Sequence, residues 1–370
     1  TLANLSEKNP WHMSPDFSVL IEIGLRPKSL IDFCNSLRRT NIRFVRLLCK
    51  EKPMKIVLLD AGTLGRDIDI SCFAKLGEFT AYPATAPEAA PERIKNADIV
   101  ITNKVKLTEP VLSQAKNVKL VCITATGFDN VDMNYARAHG IGVCNVRDYS
   151  TDSVVQVTVS LVLALVCHLP FYDRYCKSGA YTASGVHNLL EPVFYELAGK
   201  TWGLYGYGSI GKRVADVARA FGCNILVCRR HAPDGEKIVT LPELFEKSDI
   251  ISLHTPLNDA TRRSVSAQVL AGAAKKPILV NAARGAVVDE EAVTKAVESG
   301  LLSGFATDVY AEEPMRADSP FHRLAGKDNV IFTPHMAWGA YEARMRLVEE
   351  VYKNIEVFLA GGTRSRVDLV

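Results

Sequence analysis

Arg284, Glu313 and His335 each stand a few positions beyond a short apolar run: Ile278–Asn281, Phe305–Val309 and Val330–Thr333. Short apolar runs read as buried strands, and an open α/β sheet places its ligands just outside the carboxyl ends of its strands. The three residue types together suit reduction of a 2-keto acid. A guanidinium can fork onto a carboxylate and polarise the neighbouring carbonyl. An imidazole can give a proton to the carbonyl oxygen as hydride arrives. A carboxylate can orient that imidazole, and its charge favours the protonated ring. Each residue also has a plainer reading. Arg284 can be a solvated loop arginine, Glu313 ordinary surface with adjacent Glu312 as its rival, and His335, after Pro334, a packed loop histidine.

Hydride needs a carrier. Gly206-Tyr207-Gly208-Ser209-Ile210-Gly211 is a G-x-G-x-x-G lying between the apolar run Thr201–Tyr205 and a helical pattern over 212–221. In that context the spacing reads as a dinucleotide loop. Gly206 permits the tight turn, Gly208 lets backbone approach a pyrophosphate, and Gly211 lets the helix pack closely on the strand. The helix N-terminus supplies free amides to the phosphates. The next strand ends at Cys228-Arg229-Arg230-His231, where an NAD-binding sequence usually has an acid for the ribose hydroxyls. Two guanidiniums at Arg229 and Arg230 suit a 2′-phosphate instead. NADP is therefore the expected cofactor, with NAD compatible; the alternative is that the pair is solvated surface.

These residues need a scaffold. From Met54 onward apolar runs alternate with helical patterns, which implies parallel sheets wound by right-handed crossovers. The expected fold class is α/β, with two Rossmann-like doubly wound parallel-sheet units and a cleft between them. A length of 370 residues agrees with about two domains. The mixture of 48% hydrophobic and 23% charged residues excludes a disordered, collagen-like or coiled-coil chain. The apolar stretch from Val154 to Pro170 carries Gln156, Thr158, Ser160 and His168. It reads as one buried helix, too short and polar to span a bilayer comfortably. Nine cysteines without a C-x-x-C pair indicate neither a disulfide framework nor a zinc ribbon. Free thiols, a cytoplasmic location and no bound metal are expected.

The net charge of +3 falls short of the strongly basic balance of a nucleic-acid binder. Residues 1–53 carry nine Lys or Arg against five Asp or Glu, so the basic excess lies there and not on the enzyme-like body. That stretch reads as an N-terminal extension, poorly structured or non-native, with Met54 the expected start of the globular protein. Its acids argue against a transit peptide.

The glycine fingerprint, Asn281-x-x-Arg284-Gly285, Asp308-Val309-x-x-x-Glu313-Pro314 and Pro334-His335 occur in an order and spacing that resembles the D-isomer-specific 2-hydroxyacid dehydrogenases. The likeness runs from Met54 almost to the C-terminus. It implies Arg284, Glu313 and His335 as the catalytic set and Ser209 and Ile210 as pyrophosphate contacts. It implies Thr255, Pro256 and Thr261 as the next cofactor loop, with Ala282 and Asp308 near the nicotinamide. It also implies a substrate domain over 54–152, completed by 338–370, and a dinucleotide-binding domain over 153–337. Asn103, Lys104 and Val105, with Thr126 and Gly127, look like the family's loops that meet the substrate carboxylate; amides from Asn103 to Val105 are expected to hold it with Arg284.

Segments 149–154 and 177–182, and Ala337-Trp338, are similar to the glycerate dehydrogenase and hydroxypyruvate reductase branch, which points to hydroxypyruvate or glyoxylate. Trp338 either walls the pocket or packs at a subunit interface. Ala340 departs from the branch, where a Thr near the start of the last helix is common, so a cap or polar contact is missing from the sequence. Arg147 stands where Pro is frequent. The resemblance further implies a homodimer, with 152–181 contributing to its interface. The other reading of the scaffold is a non-catalytic dinucleotide-sensing protein or corepressor.

Overall fold

The computed structural model describes residues 52–229 and 236–369. The N-terminal extension, apart from its last two residues, lies outside the described residues, as do Arg230 and His231. The described chain divides into two compact units, 52–149 with 344–369, and 150–343.

In the first unit the strands are β1 (Lys55–Leu58), β2 (Glu78–Ala81), β3 (Ile99–Thr102), β4 (Leu120–Ile123) and β5 (Gly142–Cys144), in the parallel order β2-β1-β3-β4-β5. Every residue of β3 and β4 is buried, as continuous apolar runs require in a sheet covered on both faces. Sequence reading passes over β2. This strand pairs only with β1, and its Glu-Phe-Thr-Ala leaves three of four residues exposed, so it carries no apolar run. At the other edge the C-terminal tail covers β5. Val367 N donates to Val143 O, Val143 N donates to Asp368 Oδ1, and Arg366 holds the Asp368 carboxylate. An edge so covered offers no free ladder to another chain.

In the second unit the strands are β6 (Thr201–Tyr205), β7 (Asn224–Cys228), β8 (Ile250–Leu253), β9 (Ile278–Asn281), β10 (Gly304–Thr307) and β11 (Val330–Phe332), in the parallel order β11-β10-β9-β8-β6-β7. Successive side chains enter opposite cores. Leu279 and Phe305 join one cluster with Leu244, Phe245 and Val293, while Val280 and Ala306 join another with Leu161, Val162 and Leu204. Trp202 is fully buried, and its indole N–H donates to Ser252 Oγ at 2.9 Å, so its polar atom is satisfied.

The single helix expected over Val154–Pro170 is two helices. Thr151–Val166 ends before His168, which is left-handed at φ 49°, and Leu169–Lys177 follows at a bend of 64°. Pro170 has no amide to continue the first helix but suits the opening turn of the second. Among the described residues no single helix is long and apolar enough to cross a membrane. The last helix, Tyr341–Leu359, starts in the second unit and runs on in the first, where Leu347, Val351 and Ile355 are buried. Within the first unit Arg344 anchors it by a two-pronged pair with Asp67, at 2.6 and 2.8 Å.

Candidate active site

The glycine loop leaves β6 and enters the helix Ser209–Ala220. Gly206 has φ 102°, and a Cβ there would stand 2.5 Å from the carbonyl carbon of His254. A Cβ on Gly211 would stand 2.4 Å from the Gly206 oxygen, so the helix rests directly on the loop. At Gly208 a Cβ would meet nothing within 4 Å, and no side chain caps the helix. The head of the helix thus presents its first amides to open space, as an incoming phosphate requires. Ser209 and Ile210 supply two of those amides.

Beyond β7, Arg229 donates to the Tyr207 carbonyl at 3.2 Å, which lays its guanidinium along the glycine loop. Sequence reading does not single out Glu236. Its carboxylate accepts from the Tyr207 hydroxyl and from Arg219, tying the chain after β7 to the loop and its helix. His254 hydrogen-bonds Ser252 Oγ at 2.9 Å, and burial drives its pKa down to about 3, so the ring beneath the loop is neutral. In the following loop Thr255 is buried. Thr261 donates to the Pro256 carbonyl at 2.7 Å and accepts from Asn258 N at 2.8 Å, so its hydroxyl is spent shaping the loop.

The three catalytic candidates follow β9, β10 and β11, which are neighbours in the sheet. His335 Nδ1 lies 2.6 Å from Glu313 Oε2, and Glu312 has no part in that contact; it pairs with Arg316. His335 sits at φ 52°, in the left-handed region that few non-glycine residues adopt, histidine among the more frequent of them. Asp308 braces the residues on either side. Its carboxylate is 1% exposed and accepts from Thr333 Oγ1 at 2.6 Å, Met336 N at 2.8 Å and Ala337 N at 2.9 Å. Asp308, expected near the nicotinamide, therefore clamps the loop that carries His335.

Asn281 does the same for Arg284. Its side chain accepts from Ala283 N and donates to the Arg284 carbonyl, closing a turn that includes Ala282. Arg284 gives one N–H to the Ala283 carbonyl, and among the described residues no carboxylate pairs with its guanidinium. Trp338 is half-buried after the His335 loop. The cap lacking at Ala340 comes from elsewhere in the unit: Ser153 Oγ accepts from Ala340 N at 3.1 Å while donating to the Ala337 carbonyl at 2.6 Å.

In the first unit the expectation for Asn103, Lys104 and Val105 needs correction. Their amides are not open to a ligand; all three donate to the buried carboxylate of Asp60, at 2.9, 2.6 and 3.3 Å. The loop after β4 differs. Thr126 is fixed by its hydroxyl on Val146 O and its carbonyl on Asn145 Nδ2, yet among the described residues nothing accepts from the amides of Thr126 and Gly127. Sequence reading names Asn281 only as part of a motif and covers Ser153 only within segment 149–154; the parts they play, and those of Asp60 and Glu236, are not visible in it. Asp60 closes β1, so the rule of looking just past strand ends was the signal available for it.

A parallel sheet with an uncapped glycine-lined helix at one point of its carboxyl edge, and a cation beside a carboxylate–imidazole pair at another, defines a dinucleotide-dependent α/β oxidoreductase. Residues 159–337 match the family model described as D-isomer specific 2-hydroxyacid dehydrogenase, NAD binding domain. The glycerate dehydrogenase of Methylorubrum extorquens is 35% identical over 315 residues, spanning 85% of this chain and 99% of that protein. The D-lactate dehydrogenase of Aquifex aeolicus, solved with NAD and lactic acid, is 28% identical with a TM-score of 0.74, over 83% of this chain and 96% of that one. The NADPH-dependent glyoxylate/hydroxypyruvate reductase of Sinorhizobium meliloti, solved with NADP and malonate, is 25% identical with a TM-score of 0.74, over 85% and 97%. The chain belongs to the D-isomer-specific 2-hydroxyacid dehydrogenase family, in its glycerate dehydrogenase and hydroxypyruvate reductase branch.

Proposed function

We propose that this protein reduces a small 2-keto acid of the hydroxypyruvate or glyoxylate type to the D-2-hydroxy acid, preferring NADPH. The observation that carries this reading is the 2.6 Å contact between His335, in a left-handed turn after β11, and Glu313, after β10, one strand away from the Arg284 loop after β9. His335 gives its proton to the carbonyl oxygen through Nε2, because Nδ1 faces Glu313. Glu313 fixes the ring and balances its charge. Arg284, free of carboxylate partners among the described residues, holds the substrate carboxylate and polarises the carbonyl. A dinucleotide held at the glycine loop by the amides of Ser209 and Ile210 would supply the hydride. Within the first unit, the adjacent amides of Thr126 and Gly127 find no acceptor among the described residues and suit a carboxylate.

The open cradle at Gly208 fits a pyrophosphate, and Arg229 beside the glycine loop favours a 2′-phosphate. The described cysteines are all free thiols, in keeping with a reducing cytosol. Leu190, Val193, Phe194 and Tyr195 are at least half exposed on one segment, an apolar surface suited to covering by a second copy in a homodimer.

Turnover of hydroxypyruvate, glyoxylate and pyruvate, each with NADPH and NADH, tests the reading. Hydroxypyruvate or glyoxylate should give the highest kcat/KM, with NADPH above NADH. A clear NADH preference removes the 2′-phosphate role of Arg229. No turnover with any keto acid replaces the enzyme by a dinucleotide sensor.

A further inference from the structure

Asp60 is 4% exposed at the end of β1, and its carboxylate is filled by donors from one short loop. Asn103 N reaches both oxygens at 2.9 and 3.0 Å. Lys104 N lies 2.6 Å, Thr102 Oγ1 3.2 Å and Val105 N 3.3 Å from Oδ2. Successive amides converging on one anion form a concave site with a fixed positive field, the kind of cradle that otherwise binds a carboxylate or phosphate ligand. Here the ligand is part of the chain.

The opposite side of the loop is gripped too. Asn130 Nδ2 donates to the carbonyls of Asn103 and Val105, at 3.3 and 3.1 Å, and the Asn130 carbonyl accepts from Leu107 N at 2.7 Å. Asn130 belongs to the segment that follows β4, four residues after Thr126. The amides of one loop, held by Asp60, are thereby tied through Asn130 to the loop whose own amides are open.

We propose that Asp60 is a positioning residue for substrate binding: it occupies the Asn103–Val105 cradle, denies it to the substrate carboxylate, and through Asn130 holds the next loop so that the Thr126 and Gly127 amides receive that carboxylate. The inference rests on the 2-keto acid reading above. Removing the carboxylate leaves three amides and a hydroxyl around a hole the size of a small anion. A small carboxylate in solution can refill that hole.

The test compares the wild type with Asp60→Ala, each with and without formate, using sodium chloride at equal ionic strength as the control. Two readouts are taken: hydrogen exchange in peptides covering 102–107 and 124–131, and KM and kcat for hydroxypyruvate. In Asp60→Ala, exchange should quicken in both segments, and KM for hydroxypyruvate should rise about tenfold or more while KM for NADPH stays within about twofold. Formate should restore slow exchange and lower KM, and chloride should not. A structural loss alone would move both KM values and would not answer to formate. Where Asp60→Ala does not stay folded, Asp60→Asn, which replaces one acceptor by a donor, should give the same changes in weaker form. Unchanged exchange in a folded variant overturns the proposal, and so does fast exchange with an unmoved hydroxypyruvate KM. If the wild type turns over no keto acid, the functional reading fails, and the exchange comparison still decides whether Asp60 anchors the two loops.

Discussion

At the scale of single residues, the proposed chemistry rests on a few side chains whose neighbours fix them. His335→Gln keeps a polar side chain but cannot donate the proton. Its kcat should fall about 10²–10⁴-fold, the usual worth of a positioned acid, while NADPH binding read by fluorescence stays the same. Undiminished turnover in that variant removes His335 from the mechanism. That Glu313 and His335 meet, and that Arg284 lies after a neighbouring strand, was legible in the sequence, because Arg, Glu and His just past apolar runs leave a visible pattern. Asp60 and Asp308 were not legible in their actual roles. A carboxylate that accepts from its own chain and one that waits for a ligand are the same letter, and only the tertiary course of the donors separates them. The open state of Asn103–Val105 was misread for that reason. A motif names a loop, but which amides are already taken depends on Asp60, forty-three residues upstream of Asn103.

At the scale of elements, the parallel strands carry the site by their ends. β1, β3, β4, β8 and β10 were legible because strands buried on both faces are continuously apolar, and the edge strands β7 and β11 because they too are apolar runs. The edge strand β2 was not, since its Glu-Phe-Thr-Ala, three of four residues exposed, carries no apolar run. Nor was the break at His168, which depends on a left-handed residue ahead of Pro170. Close approach between elements gives a sharp test at Gly285. A Cβ there would stand 1.9 Å from the carbonyl carbon of Tyr310, so the Arg284 and Glu313 loops touch backbone to backbone. Gly285→Ala must push them apart. We expect a loss of about 1–3 kcal/mol of stability, the ordinary cost of overpacking, together with a fall in kcat/KM far beyond what a remote substitution of similar stability causes. Thermal melts and steady-state kinetics on the same sample check both; wild-type kinetics would mean that the two loops are not set by this contact.

At the scale of the whole molecule, the second unit carries a pH dependence of its own. His254 is held at a pKa of about 3 by burial, against 6.5 for the free side chain. Above pH 6.5 both folded and unfolded chains hold it neutral, and its contribution to stability is complete. As the pH falls below 6.5 the unfolded chain takes up a proton that the folded chain refuses, so stability declines by up to about 1.4 kcal/mol per pH unit until the folded ring also protonates near pH 3. Urea midpoints between pH 7.5 and 4.5 should therefore fall more steeply for the wild type than for His254→Gln. Parallel curves would show the ring already reaches solvent. Meanwhile the residues from Ile278 to His335 run unbroken through β9, β10 and β11, which are consecutive both along the chain and across the sheet. The three catalytic candidates thus fall within one unbroken stretch of chain, which a single segment swap with a relative would carry over together.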